Sequence, residues 1–275
     1  MKLIKPSFEI LEQGYTLDDV YKHIELCGRT CYKSTDKITV DSAKPFVDRL
    51  TKSKHYAMLE HGTIYLECST DCCQGDTRNI PLFRYHNNKY SKYLEHDYNA
   101  YVTTNLRVIA ENDWWNDLQY ICEPTEFHAK KRTVRFVCNR QVSHEFVRHR
   151  VFSFAQESTR YCNYTKDKFG SELTFIEPCW DYKVTHDMET DFLDCLQYIE
   201  DTYFTLIDKQ WTAQEAATIL PNALKTELIM TGFEDDWNHF FDLRARGTTG
   251  APHPQAKELA EPLMKEFISR GWISE

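Results

Sequence analysis

The chain has 275 residues and a formal charge of -9 at pH 7, with 27% charged and 41% hydrophobic side chains. That composition excludes a disordered chain, and the acidic balance argues against broad nucleic-acid binding, which needs a basic face. No apolar run approaches the roughly 18–20 residues that cross a bilayer, and the start MKLIKPSFEILEQG lacks the apolar centre of a signal peptide, so a cytoplasmic protein without membrane contact is expected.

Thr16 is expected to open a helix, TLDDVYKHIELCG, with acids in its first turn and Gly28 just past its end. Asp41 is expected to cap a second, DSAKPFVDRLTK, whose Ala43, Phe46, Val47 and Leu50 fall at helical spacing. GTIYLECS (62–69) alternates and reads as a strand. Residues 70–98 have no clear period and read as a long loop of functional kind. AYVTTNLRVI (100–109) reads as a strand, ENDWWNDLQYIC as a short helix and TVRFVC (133–138) as a strand. RQVSHEFVRHR (140–150) reads as a helix; continued to Arg150, it would point Arg148 and Arg150 about 200° apart. LTFIEP (173–178) reads as a strand and 185–210 as the longest helix. Pro221 separates a short helix from a strand-like segment. FEDDWNHFFDLR (233–244) is then helical, with Phe233, Trp237, Phe240 and Phe241 inward. A last helix runs from Pro252 and Pro254 to Gly271, with Pro262 inside it.

Ten cysteines are scattered along the chain, and only Cys27/Cys31 and Cys68/Cys72/Cys73 cluster, without a second pair at zinc-ribbon spacing. Reduced structural thiols and no metal are expected. HYAMLEH (55–61) spaces two histidines by six, not the i, i+4 of a helical zinc site, so a buried, hydrogen-bonded histidine is the reading there. No Walker or Rossmann glycine loop is present, and Ser158 has no Gly-x-Ser-x-Gly elbow.

The densest chemistry is RHRVFSFAQESTRY (148–161). Arginine forks suit phosphates and carboxylates, Gln156 and Ser158 add neutral donors, and flanking Phe and Tyr suit a flat ring. A nucleotide or dinucleotide-like ligand fits this set. A solvated cationic helix end, or a strip for single-stranded nucleic acid, are the other readings of the same residues. Arg244, after an aromatic-rich helix, fits a salt bridge at the core edge as well as a ligand contact.

Arg148-His149-Arg150, seven residues, then Ser158, resembles the signature of the flavin-dependent thymidylate synthases. CGRTCYKS (27–34), HYAMLEH (55–61), NRQVSHEFVRHR, STRYCNYTKDKFG, ILPNALKTELIMTG (219–232), HFFDLR (239–244) and HPQAKELAEPL (253–263) resemble the family in the same order. The likeness leaves out about 70–130, which reads as an insertion within a single 1–275 domain. It implies an α/β (α+β) fold with a central, mostly antiparallel sheet flanked by helices, in a homotetramer whose active sites lie between subunits. It implies methylation of dUMP to dTMP with methylenetetrahydrofolate as carbon donor and FAD, reduced by NADPH, as hydride carrier. The flavin contacts it implies are His55, Ala57, Arg148, His149, Arg150, Gln156 and His239. The dUMP contacts it implies are Glu145, Arg148, Gln156, Glu157, Ser158, Thr159, Arg160 and Arg244, with Arg244 the catalytic group that polarises the pyrimidine. No cysteine nucleophile is implied.

Several positions depart from the family's commonest pattern. Ala217 stands where a nucleotide-binding Arg is usual, Phe233-Glu234-Asp235 replaces Asn-x-Arg, Ala155 replaces a small polar residue, and Glu145 stands where many relatives place Gln. Arg107, Lys130 and Lys131 are candidates to replace the charge missing at Ala217. A relative that binds nucleotide and flavin with reduced or lost synthase activity is therefore the alternative reading.

Overall fold

The structure, a computed structural model, describes residues 1–70, 78, 80–159, 164, 170–179 and 185–274. In chain order the strands are β1 (Lys2–Ile4), β2 (Ser7–Leu11), β3 (Thr63–Ser69), β4 (Lys92–His96), β5 (Asn99–Asn105), β6 (Lys131–Asn139), β7 (Ser153–Gln156), β8 (Thr174–Ile176) and β9 (Lys225–Phe233). The helices are α1 (Leu17–Cys31), α2 (Ala43–Lys52), α3 (Leu106–Asn112), α4 (Arg140–Phe146), α5 (His186–Asp208), α6 (Ala213–Ala216), α7 (Glu234–Phe241) and α8 (Pro254–Ser269).

The main sheet has the order β2-β6-β9-β7 and is antiparallel throughout, with Lys131 opposite Phe233 and Asn139 opposite Lys225. A second antiparallel sheet runs β3-β5-β4, and β1 pairs with β8 in parallel. The expected antiparallel α/β architecture is therefore present, divided among three sheets. Alternation along β9 sorts the main sheet's two faces, since neighbouring strand residues point opposite ways. Ile229 joins Leu11 and Ala155 under α1 and α2. Leu228 and Met230 join Val134 and Phe136 under α4, α7 and α8.

Thr16 caps α1 through a reciprocal box: its hydroxyl accepts from Asp19 N and the Asp19 carboxylate accepts from Thr16 N, both at 3.2 Å. The helix runs past Gly28 rather than stopping there. A Cβ on Gly28 would lie 2.6 Å from Phe46 Cζ, so this glycine serves the close approach of α2, not chain reversal. Ser42, not Asp41, holds the cap position of α2, and its hydroxyl donates to Glu25 Oε2 (2.8 Å).

Part of 70–98 is regular, against expectation. β4 and β5 form a hairpin whose two-residue turn, Asp97-Tyr98, has φ of 44° and 64°. Such a turn usually advertises itself with Asn-Gly, and a tyrosine in the left-handed region hides it. The expected strand 100–109 ends at Asn105, whose side chain accepts from Val108 N (3.1 Å) and starts α3. Asn139 repeats the device at the end of β6, accepting from Val142 N at 2.8 Å to start α4. That helix ends at Phe146, so Arg148 and Arg150 lie on the turn that follows and not on a helix face. Phe233 precedes α7 and is half-buried, while Trp237, Phe240 and Phe241 are buried as expected.

His61 of HYAMLEH is fully buried and bonded to Thr231 Oγ1 (2.8 Å). Thr231 bonds Thr133 across β6 and β9 (2.8 Å), and Thr133 bonds His23 Nε2 (3.2 Å). No described helix is long and apolar enough to cross a membrane.

Candidate functional site

Past Phe241 the chain widens into a π-helical turn, Asp242–Arg246, which Gly247 closes at φ 73°. π-turns recur at functional sites because they re-aim a side chain out of helical register. This one aims Arg244 at the end of α4. Its Nη1 donates to Glu145 Oε2 (2.6 Å), its Nη2 to the Glu145 carbonyl (3.0 Å) and its Nε to His149 Nε2 (3.1 Å). Since Nε2 accepts, the His149 proton sits on Nδ1. Burial, then the Arg244 and His239 charges, push the His149 imidazole down to about 4, consistent with a neutral ring. Burial also lowers the Arg244 pKa from its ordinary value, against Glu145 and helped by Arg148. Arg244 and Glu145 border an open cavity of about 460 Å³ whose other wall is the segment Thr249–His253. Nothing in the residue pattern of that segment marked it as a wall. Only Gly247 and Gly250, both at positive φ, signal the bend.

Three buried histidines carry a pH consequence. Burial holds His23 at about 4, His61 at about 3 and His149 at about 4, against about 6.5 in an unfolded chain. Between 6.5 and these folded values the unfolded chain binds more protons, so stability falls as pH drops through that window. Urea midpoints are expected to decline from pH 7.5 to pH 4.5; a flat profile would contradict the neutral, buried assignment.

The residues named from the sequence fall around more than one cavity. Arg148 and Arg150 are exposed, and Arg150 lines a separate cavity of about 580 Å³ with Glu60, Phe152 and Phe233. The closeness of Phe152 depends on Gly232, where a Cβ would lie 2.5 Å from the Phe152 ring. The His149 and His239 rings are 6.3 Å apart. Gln156 donates to Ser143 Oγ of α4 (2.9 Å), which ties β7 to the helix that carries Glu145. Glu157 is buried, and its Oε2 pairs with Lys225 (3.0 Å) and Lys33 (3.2 Å). Glu227 shares both lysines; burial would raise its pKa, but Lys225 and Lys33 prevail and hold it at about 2. Ser158 is fixed through its N–H to the Cys31 carbonyl (3.1 Å), and Thr159 is half-buried. Arg160 lies outside the described residues. His55 and Ala57 are exposed, and His55 Nδ1 bonds the Tyr32 hydroxyl (3.1 Å). Lys33 and Lys225, which complete the Glu157 cluster, were not singled out from the sequence; lysines 192 positions apart meet only through the fold.

A family model described as thymidylate synthase complementing protein matches residues 123–270, more than half the chain. A flavin-dependent thymidylate synthase of Geobacter sulfurreducens is 33% identical over 106 residues, 38% of this chain and 44% of that protein. One from Pyrococcus furiosus is 32% identical over 133 residues, 48% of this chain and 52% of that protein. The chain thus matches about half the length of these curated relatives. The crystal structure of a UMP/dUMP methylase, PolB from Streptomyces cacaoi, bound with 5-Br dUMP, aligns with a TM-score of 0.46 and 14% identity over 98% of this chain and 93% of that one.

Proposed function

Because the chain belongs to the thymidylate synthase complementing protein family, we propose that it methylates dUMP to dTMP as a flavin-dependent thymidylate synthase. The observation that carries this reading is Arg244, clamped by Glu145 and His149 at the edge of an open cavity. C5 of uracil is a poor nucleophile, and a cation fixed beside the ring stabilises the anion left when N3 loses its proton, which raises electron density at C5. Holding the fork by three hydrogen bonds sets its direction before the ring arrives, so little reorganisation remains. Gln156, Glu157, Ser158, Thr159 and Arg160 supply the remaining nucleotide contacts in this reading, and Arg148 spans the nucleotide and flavin sides.

The chain's residues fit a flavin nucleotide. The 580 Å³ cavity holds Arg150, lysines and the rings of Phe152 and Phe233, a donor set for an anionic, aromatic ligand. The remaining flavin contacts in this reading are His55, Ala57, His149, Gln156 and His239. FAD, once reduced by NADPH, would supply the hydride that turns the methylene delivered by methylenetetrahydrofolate into the methyl group of dTMP. Because Arg244 and Arg150 border different cavities of one chain, the reading includes a site completed by neighbouring copies in a homotetramer. A cytoplasmic setting and a single domain, with 70–130 as an insertion, belong to the same reading.

Purified protein is expected to form dTMP from dUMP only when methylenetetrahydrofolate, NADPH and flavin are all present, and the gene to rescue a thymidine-requiring host. Product formed without the folate would overturn the reaction. One observation favours the second reading, a relative that binds both ligands without turnover: the Glu145 carboxylate already neutralises Arg244. Binding of dUMP and flavin with no dTMP at saturation would decide for it.

A further inference from the structure

We propose that Lys89 and Lys92, just before and at the start of β4, furnish a phosphate-binding wall: together with Lys131 and Arg150 they hold the diphosphate of the flavin nucleotide. The proposal rests on the flavin reading above and adds the residues and the part of the ligand.

The argument starts from charge accounting in the 580 Å³ cavity. Its lining carries five cations, Lys89, Lys92, Arg107, Lys131 and Arg150, against three carboxylates. The carboxylates are already engaged. Glu60 and Glu111 both pair with Arg107, the latter at 2.8 Å. Asp236, the third residue of α7, accepts from Phe233 N (3.2 Å), and its charge also acts on Lys92 and Lys131. That leaves Lys89, Lys92, Lys131 and Arg150 without an ion pair among the described residues. Even with Glu60 and Asp236 acting on Lys131, and Asp236 on Lys92, the cations exceed the carboxylates by two round one concavity, an excess that attracts an anion.

Their placement adds shape to the charge. Lys131 Nζ lies 4.7 Å and Lys92 Nζ 5.5 Å from the centroid of the Phe233 ring, so one aromatic ring gathers two ammonium groups from two strands. Lys92 opens β4, the strand that the Asp97-Tyr98 turn folds back onto β5. Lys89 lies just before it, over the Tyr90 ring at 4.7 Å. Burial lowers the Lys131 pKa to about 8 although the Glu60 and Asp236 charges oppose it, and a bound phosphate would oppose it further. Arg150 enters from the signature turn, so the motif and the start of β4 face the same space. The two charges of a diphosphate would match the excess there; a neutral ring alone would leave it unmet.

The test is fluorescence titration of protein stripped of flavin with FAD and, separately, with riboflavin, which has no phosphate. Lys92→Ala/Lys131→Met is expected to weaken FAD binding by roughly 10- to 100-fold, the effect of one or two charge-assisted hydrogen bonds, and to flatten its salt dependence. Riboflavin binding should stay within about threefold, which shows that the variant is folded at the site. Lys92→Arg, which keeps the charge, should retain FAD affinity. If wild type binds FAD and the double variant binds it equally well, the lysine wall is refuted and the flavin reading stands. If wild type binds neither flavin, both fall together.

Discussion

Replacement of Arg244 by alanine is expected to lower dTMP formation by about 10²–10³-fold, the usual cost of removing one fixed electrostatic stabiliser. Both kcat and kcat/KM should drop, since the cation is worth most to the charge that develops during reaction. The variant should still fold. It leaves the Glu145 carboxylate, 19% exposed, without its partner, and the cost of that loss is about 1–3 kcal/mol. Arg244→Lys keeps the charge but cannot reach Glu145 and His149 with one ammonium, so its activity should stay well below wild type. Turnover in Arg244→Ala within a few-fold of wild type would remove Arg244 from the reaction and leave it a core-edge salt bridge.

Trp237→Ala should produce the largest loss of stability, about 3–5 kcal/mol, read as a shift in urea midpoint at constant slope. Trp237 is fully buried, with Phe152 at 4.7 Å and Phe240 and Phe267 each at 5.4 Å between ring centroids. Its Nε1–H also donates to the Arg132 carbonyl (3.2 Å), so truncation opens a cavity and orphans an acceptor together. Because Phe152 follows directly on the signature turn, flavin affinity should weaken as well. Trp237→Phe retains ring packing and should cost markedly less. An alanine variant with an unchanged midpoint would mean that this aromatic layer does not hold the site.

What the sequence disclosed follows the range of the interactions involved. β3, β6 and α5 were legible because alternation or helical spacing persists along them. The Asn105 break was hidden because Val108 and Ile109 look like strand, and one side-chain cap outweighs that preference. The end of α4 at Phe146 was hidden for a similar reason, since nothing in VRHR forbids another helical turn. Family likeness put Arg244, Glu145 and His149 on the same roster. That they bond one another is a tertiary fact spanning 95 and 99 residues, and the π-turn that enables it leaves no periodic trace.

The His23–Thr133–Thr231–His61 string has a consequence for proton placement. Each hydroxyl owns one hydrogen, so when Thr133 donates to His23 Nε2, Thr231 must donate to Thr133 and His61 Nδ1 must donate to Thr231. A bare Nε2 at His23 thereby puts the hydrogen of a neutral His61 on Nδ1, across two strands and without any atom moving far. His61 Nε2 ends the string with no hydrogen-bond partner among the described residues. In that state the nitrogen presents a bare lone pair to the protein interior.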